Sequence, residues 1–227
     1  AKNNMLKSVY DNGGFWIGRY EAGNATATAN NETIADARDD DYIANNPAVI
    51  KANQIPYNCI TNKQAQTLSK NLATGGKTSS LMFGIQWDLT CKFLEEKTSL
   101  TTIDIESIST SWGNYSDSTI NLAKGKYNTS PDSSSSTWTA VTSGAKNGTM
   151  LLTTGASEDT NKMNIYDFAG NEWEWTLEYT SNSSYPCARR GGYYDYSGSG
   201  YGYPASYHFI GSTSRSDSSV GFRPTLY

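Results

Sequence analysis

The segment NIYDFAGNEWEWT, residues 164–176, constrains the fold of this chain more than any other stretch. Its second half alternates tryptophan with glutamate. Trp173 and Trp175 therefore share one face of a strand, because strand side chains repeat every two residues. Two indole rings on one face need a sizeable apolar core to cover them. Gly170 followed by asparagine predicts a tight turn just before this core strand.

The same segment brings carboxylates close together. Asp167, Glu172 and Glu174 fall within one turn and one strand, with Gly170 between them. Hard cations such as Ca²⁺ prefer clustered carboxylate and carbonyl oxygens, so these four residues are a candidate site for a structural calcium ion. A turn that leads into a buried strand explains the same pattern without a metal, and spacing alone favours that simpler reading.

Upstream patterns predict two helices and one strand. Thr61 and Gln64 have the spacing of a capping box, which predicts a helix running on towards Gly75. A second helix is predicted over 84–97, where apolar residues repeat at helical spacing. Residues 13–23 alternate between glycines as a strand does. Helices early and short strands with glycine-rich turns late predict an α+β fold.

Other stretches predict loops. Residues 24–53 are rich in Asn, Ala and Asp and indicate a long loop with a little helix. The Ser/Thr/Asn/Gly-rich text of 98–160 predicts surface loops and short hairpins. The acidic run 39–41 is typical of a solvated loop.

Charge and cysteine content exclude several classes of function. The net charge is −4, which offers no basic surface for nucleic acid. No stretch approaches the roughly 18 apolar residues that a membrane-spanning helix needs, so we expect no membrane insertion. Cys59, Cys91 and Cys187 allow at most one disulfide, and none has a nearby Cys or His partner for zinc. We expect buried thiols.

Five segments, in the same order, resemble the formylglycine-generating enzymes and their relatives. Segment 164–176 resembles the family's GN-x-WEW stretch. The other four resemble its opening strand, its tryptophan-bearing helix, its RGG turn and its terminal GFR strand; they are residues 13–23, 81–93, 190–192 and 220–223.

The resemblance covers about 13–24, 57–97 and 164–227, and a divergent loop-rich insert occupies 98–163. It implies that residues 1–227 form a single domain with a C-type-lectin-type fold. That fold has two helices packed on small twisted antiparallel sheets, with long loops.

Two departures from the family concern its chemistry. Formylglycine-generating enzymes use a cysteine pair after the GG turn to bind copper, and the matching positions are Tyr196 and Tyr201. A phenol cannot replace a thiolate ligand. The related sulfoxide synthases need a histidine-rich iron site, whereas His208 is the only histidine. We therefore expect a protein that is not an enzyme and requires no cofactor. The calcium site is then implied only by the family motif.

Residues 193–220 carry a compositional signal. These 28 positions contain no Lys, Glu, Gln, Met or Trp, the residue types that an AAC or AAT asparagine codon cannot reach by changing only its adenines. The bias resembles the variable region of diversity-generating retroelement proteins, many of which have C-type-lectin-type folds ending in a GFRP-like strand. Here the chain ends in GFRPTLY.

Tyr, Ser and Gly also dominate antibody paratopes, where Tyr supplies contact area and Ser and Gly adapt to the ligand. The resemblance and the composition together predict a C-terminal variable ligand-binding region over 188–227. Its contact residues are expected to be Tyr194, Asp195, Tyr196, Tyr201, Tyr203, Tyr207, His208, Phe209, Ile210, Ser214, Ser216 and Asp217.

The expected partner is a protein or glycan on a target cell, bound by a protein displayed on a phage tail or a bacterial surface. Arg189, Arg190 and Arg223 are expected to pair with carboxylates such as Glu174 or Asp167 and to hold the variable region in place. The alternatives are a divergent metal-dependent oxidase and a lectin of fixed specificity. The sequence leaves oligomerisation open.

Overall fold

A computed structural model describes residues 2–27, 39–131 and 137–227. Parts of the loops predicted over 24–53 and 98–160, namely 28–38 and 132–136, lie outside the described residues. Five helices are described: α1 (Lys2–Asn12), α2 (Asp40–Asn45), α3 (Asn62–Lys70), α4 (Gly84–Lys97) and α5 (Thr102–Glu106).

The strands are short and form five small sheets among the described residues. In chain order they are β1 (Trp16–Ile17), β2 (Gly23–Asn24), β3 (Ala48–Val49), β4 (Ser79–Leu81), β5 (Asn121–Leu122), β6 (Lys126–Asn128), β7 (Thr139–Ala140), β8 (Gly144–Ala145), β9 (Leu151–Leu152), β10 (Trp173–Tyr179), β11 (Cys187–Arg190), β12 (His208–Gly211), β13 (Val220–Phe222) and β14 (Pro224–Leu226). The predicted α+β class is confirmed.

The two predicted helices are α3 and α4. Thr61 caps α3 in a capping box with Gln64, as its spacing predicts. The predicted end at Gly75 is wrong, because α3 stops at Lys70 and Gly75 lies in a later turn with a positive φ of 58°. Helix α4 occupies the predicted residues. The two-helix expectation is incomplete, since α1, α2 and α5 are also helical.

The largest sheet has the order β12-β11-β10-β13, and the tryptophan-bearing strand β10 is one of its two inner strands. Strand β10 pairs antiparallel with β11 and parallel with β13, where Trp173 lies opposite Val220. Trp173 and Trp175 are both buried, as predicted. Trp175 donates its indole N–H to the Ile60 carbonyl at 3.0 Å, which ties the sheet to the segment before α3.

The single strand predicted over 13–23 is wrong in extent. Only β1 and β2 are extended, and the backbone between them turns away. Gly18 N–H donates to the Pro224 carbonyl at 2.9 Å, and the Gly18 carbonyl accepts from Arg223 Nη1 at 2.8 Å. A Cβ at Gly18 would lie 3.2 Å from the Pro224 ring, so this close approach suits glycine.

The insert 98–163 holds α5 and β5 to β9. Its hairpins bury their own small core around Ile120, Leu122 and Leu152. The insert also contacts the C-terminal region: Ser109 N–H donates to the Gly198 carbonyl and Ser116 N–H to the Tyr196 carbonyl, at 2.9 and 3.0 Å. The predicted loops and short hairpins therefore pack against the predicted ligand-binding region.

Candidate ligand-binding surface

The RGG turn begins the surface. Gly191 and Gly192 follow β11 with φ values of 92° and 77°, which L-residues with side chains rarely adopt. A Cβ on Gly192 would lie 2.1 Å from the Tyr203 carbonyl oxygen. The two glycines let the chain leave the sheet, run through residues 193–207 and return in contact with its own start.

Six rings form what we call the aromatic cluster. Trp173, buried in the sheet, lies 5.0 Å from the Tyr203 ring, and Tyr203 stacks on Tyr196 at 4.5 Å and lies 4.9 Å from Tyr207. Offset or tilted packing at these distances is favourable between aromatic rings. The members of the aromatic cluster are Trp173, Tyr193, Tyr196, Tyr203, Tyr207 and Phe209.

The outer part of this cluster is exposed. Tyr196 and Tyr207 are 44% and 38% exposed, and Tyr201 is fully exposed nearby. Of the other predicted contact residues, three are exposed and five half-buried. The exposed ones are Asp195, His208 and Ser214, and the half-buried ones are Tyr203, Phe209, Ile210, Ser216 and Asp217.

The expected display of Tyr194 is wrong. Its side chain is only 5% exposed and packs with Ile55, Trp138 and Leu151. The backbone N–H of Tyr194 is fixed by the Asn171 carbonyl at 3.0 Å, and its ring meets that of Tyr193 edge-on, with 5.8 Å between the ring centroids. Tyr193 joins the aromatic cluster instead.

Asp117, in the insert, holds the loop 197–202. Its carboxylate accepts hydrogen bonds from Ser197 Oγ at 2.6 Å, Ser199 Oγ at 2.7 Å and Gly198 N at 2.9 Å. Burial raises the pKa of Asp117, but these hydrogen bonds outweigh it and bring the pKa below its usual value. The exposed Tyr201 is thus presented by an anchored loop.

Arg189 lies beneath the aromatic cluster. It is 4% exposed, and its guanidinium carbon is 5.2 Å from the centre of the Trp173 ring and 5.1 Å from that of Phe209. Asp217 Oδ2 lies 3.8 Å from Nη1. Burial, and after it the charge of Arg215, lowers the pKa of Arg189 to about 10. The carboxylate that pairs with Arg189 is therefore Asp217, and not Glu174 or Asp167 as expected.

The opposite face of the sheet carries a second charged group. Arg190 donates to Glu178 Oε2 at 2.8 Å and to Asp88 Oδ1 at 2.9 Å. His208 Nδ1 lies 3.2 Å from Glu178 Oε1. Arg190 therefore joins β11 to α4 as a structural residue, and His208 is exposed beside it.

Arg223 forms the predicted pair with Glu174, and this part of the expectation is confirmed. Arg223 Nη2 lies 2.7 Å from Glu174 Oε1, and both side chains are fully buried. Asp167 Oδ2 accepts from Gly155 N at 2.6 Å and Oδ1 from Thr160 Oγ1 at 2.9 Å.

These contacts do not fit a calcium ion at Asp167, Gly170, Glu172 and Glu174. Glu174 is committed to a guanidinium, and Glu172 Oε1 accepts from Asn58 Nδ2 at 2.9 Å. Within the described ranges, no group of three or more His, Cys, Asp or Glu side chains is arranged to hold a metal ion.

Three cysteines lie among the described residues, and none of them forms a disulfide. Cys59 and Cys91 are buried and Cys187 is half-buried. Burial raises the pKa of Cys91 to about 12 and also raises the pKa of Cys187. Neither of these two thiols is activated as a nucleophile or a metal ligand would be.

Three residues of the site were missed or given another role by sequence reasoning. Tyr193 has the same composition signal as Tyr194, and no local pattern in the sequence separates the two. Arg189 precedes the biased stretch and was expected to be structural. Asp117 is 80 residues from Ser197, so no local pattern indicates it.

Comparisons with known proteins complete the description. No family model and no curated protein matches the sequence. Among solved structures, the chain is similar to Treponema denticola variable protein 1, with 15% identity and a TM-score of 0.36, over 84% of this chain and 53% of that one. It is also similar to CarF, with 22% identity and a TM-score of 0.29, over 35% of this chain and 30% of that one.

The chain thus spans about half the length of the variable protein and under a third of CarF. No helix in the described ranges has the length and apolar character that crossing a membrane requires.

Proposed function

We propose that this chain is a ligand-binding protein whose C-terminal region, 188–227, is diversified by retroelement-directed mutagenesis on a C-type-lectin-type scaffold. It binds a protein or glycan on a target cell and is displayed on a phage tail or a bacterial surface. It binds without turnover, since Tyr196 and Tyr201 stand where the related oxidases have their cysteine pair.

The exposed side of the aromatic cluster, together with the exposed Tyr201 of the loop 197–202, carries this proposal. Tyr196, Tyr201 and Tyr207 present rings and hydroxyls to solvent from a segment that the insert and the RGG turn hold in place. Contiguous exposed aromatic groups on a rigid support are typical of a recognition surface. Asp195 adds an exposed carboxylate from the same segment, and the exposed His208 lies on the other face of the sheet, beside Arg190 and Glu178.

The division between exposed and enclosed positions supports diversification. Within 193–220, Tyr196, Tyr201 and His208 face solvent, so other side chains fit there. Gly198 and Gly202 have no such freedom: a Cβ would lie 2.5 Å from the Tyr115 ring and 2.0 Å from the Ser197 carbonyl oxygen. The surface can change while its support stays fixed.

Two matched libraries test the proposal. One randomises Tyr196, Tyr201, Tyr207 and His208; the other randomises the enclosed positions Tyr194, Gly198 and Gly202. We expect members of the first library to remain folded by circular dichroism and to yield binders for unrelated protein targets, and members of the second to unfold.

A first library that folds but yields no binder for any target would contradict the proposal. The gene's surroundings give an independent check, namely a near-copy of the final segment with asparagine codons beside a reverse-transcriptase gene. Absence of both would remove the diversification half of the proposal.

A further inference from the structure

We propose that Arg189 is a fixed anchor for a carboxylate of a protein ligand, an Asp or Glu side chain that accepts hydrogen bonds along one edge of the guanidinium. The inference rests on the proposed function and names the chemistry that the aromatic cluster recognises.

The guanidinium of Arg189 is buried with unused hydrogen-bond donors. Within residues 2–27, 39–131 and 137–227, neither Nε nor Nη1 has a hydrogen-bond acceptor. A buried charged donor that lacks an acceptor is unfavourable, and a carboxylate is the group whose geometry matches either edge of a guanidinium, Nε with Nη2 or Nη1 with Nη2. A ligand carboxylate would therefore contribute more binding free energy here than at a solvated arginine.

Asp217 balances the charge of Arg189 but does not satisfy its donors. The 3.8 Å separation exceeds hydrogen-bond distance. Asp217 is also occupied elsewhere: Oδ1 accepts from Ser219 N at 3.1 Å and from Ser219 Oγ at 2.6 Å, and Oδ2 accepts from Arg215 Nη2. The Nε and Nη1 donors of Arg189, which lie on different edges of the guanidinium, are left for another acceptor.

The position of Arg189 makes it a constant part of a variable surface. It lies in β11, opposite Trp175 of β10 and Phe209 of β12, and precedes the biased stretch 193–220. Tyr203 and Phe209 are only half-buried. A carboxylate can reach the guanidinium after side-chain rotation of these rings, without movement of the strand, and such rotamer changes are common on binding.

The surroundings favour a protein over a glycan. The surface extends from Tyr196 to Phe209 and combines aromatic rings with the charged side chains of Asp195 and Arg215. A surface of this breadth and mixed composition suits a protein epitope. No hydrogen bond joins the hydroxyls of Tyr193 or Tyr203 to any residue of the described ranges, so both are available to a protein ligand.

Peptides supply the probe. Peptides are selected from a random 12-residue library on the full chain, and those whose affinity falls for Tyr196→Ala or Tyr201→Ala are kept. We expect the retained peptides to share an acidic residue. Its conversion to the amide (Glu→Gln or Asp→Asn) should weaken binding to the unmodified protein tenfold or more, because a charge-assisted hydrogen bond is lost.

Protein variants supply the second arm. Arg189→Lys keeps the charge but removes the planar fork, and should weaken acidic peptides about tenfold while leaving the amide peptides unchanged. Arg19→Met, at an exposed arginine outside the aromatic cluster, is the matched control and should change neither. Circular dichroism checks the fold of each variant. The peptide substitution keeps the test valid even where Arg189→Lys unfolds.

Different failures have different meanings. Retained peptides that bind equally well as acid and amide, and equally to Arg189→Lys, would overturn the anchor and leave the proposed function intact. Peptides insensitive to Tyr196→Ala and Tyr201→Ala would remove the proposed function as well. Competition by a glucuronate-bearing oligosaccharide, with no acidic peptide recovered, would overturn the assignment to a protein ligand.

Discussion

Asp117 and Ser197 are joined by a 2.6 Å hydrogen bond across 80 residues of sequence, from the insert to the loop that presents Tyr201. The same carboxylate also accepts hydrogen bonds from the hydroxyl of Ser199 and the backbone N–H of Gly198. Three donors from consecutive residues fix the path of the loop. The insert is thus part of the binding surface's support.

Asp117→Ala should loosen the loop 197–202 and weaken ligand binding while leaving the rest of the chain folded. We expect about 1–2 kcal/mol lower free energy of unfolding, as for the loss of a capping carboxylate, and faster amide exchange at Gly198. The measurements are urea unfolding and hydrogen exchange. Asp159→Ala is the matched control, since Asp159 similarly accepts from Asn121 N at 2.6 Å but in another part of the insert.

Tyr194 and Tyr201 should respond oppositely to truncation. Tyr194→Ala removes a buried ring from a packed cluster and should cost about 3–5 kcal/mol of unfolding free energy. Tyr201→Ala removes a fully exposed ring and should change stability by at most about 0.5 kcal/mol, while weakening selected ligands. Chemical denaturation and binding titration separate the two effects. Equal destabilisation by both variants would contradict the described surface.

The extent to which sequence predicts this fold differs between elements. Helix α4 has the predicted bounds because its repeat and length are local properties. The apolar residues Ile85, Leu89 and Phe93 that create the repeat are nevertheless exposed, whereas Trp87 and Leu94 are buried. Periodicity defines a helix but does not determine which of two apolar faces meets the core.

The binding surface, too, could be predicted only in part from the sequence. Composition identifies the segment 193–220, but it cannot separate Tyr193 from Tyr194, whose difference arises from long-range packing against Trp138 and Leu151. Arg223 and Glu174 pair as predicted, 2.7 Å apart in the buried interior. Asp117 could be found only from the structure.

Gly198 should be intolerant of any side chain. A Cβ there would lie 2.5 Å from the Tyr115 ring, and Tyr115 is fully buried. Gly198→Ala should therefore cost about 1–3 kcal/mol through overpacking and displace the loop that carries Tyr201. Gly14→Ala is the control, because a Cβ at Gly14 meets no atom within 4 Å. Thermal unfolding of both variants is the measurement, and indistinguishable midpoints would contradict the packing of the loop on Tyr115.

Glu21 should make stability depend on pH. Burial, followed by the charges of Asp167, Glu172 and Glu174, raises the pKa of Glu21 well above its usual 4.5. A carboxyl with a higher pKa in the folded chain than in the unfolded chain holds its proton more tightly when folded. Its contribution to stability is complete below about pH 4.5 and is lost as the pH rises through the folded-state pKa.

Glu21→Gln removes this titration and keeps an oxygen for Asn171 Nδ2, which donates to Glu21 Oε2 at 2.6 Å. Relative to the unmodified protein, the variant should gain about 1.4 kcal/mol of unfolding free energy per pH unit between 4.5 and the folded-state pKa. Urea unfolding from pH 5 to pH 8 measures the difference. Glu96→Gln, on the exposed surface of α4, is the control and should show no such slope. If the difference for Glu21→Gln does not change with pH, Glu21 is ionised in the folded protein throughout this range.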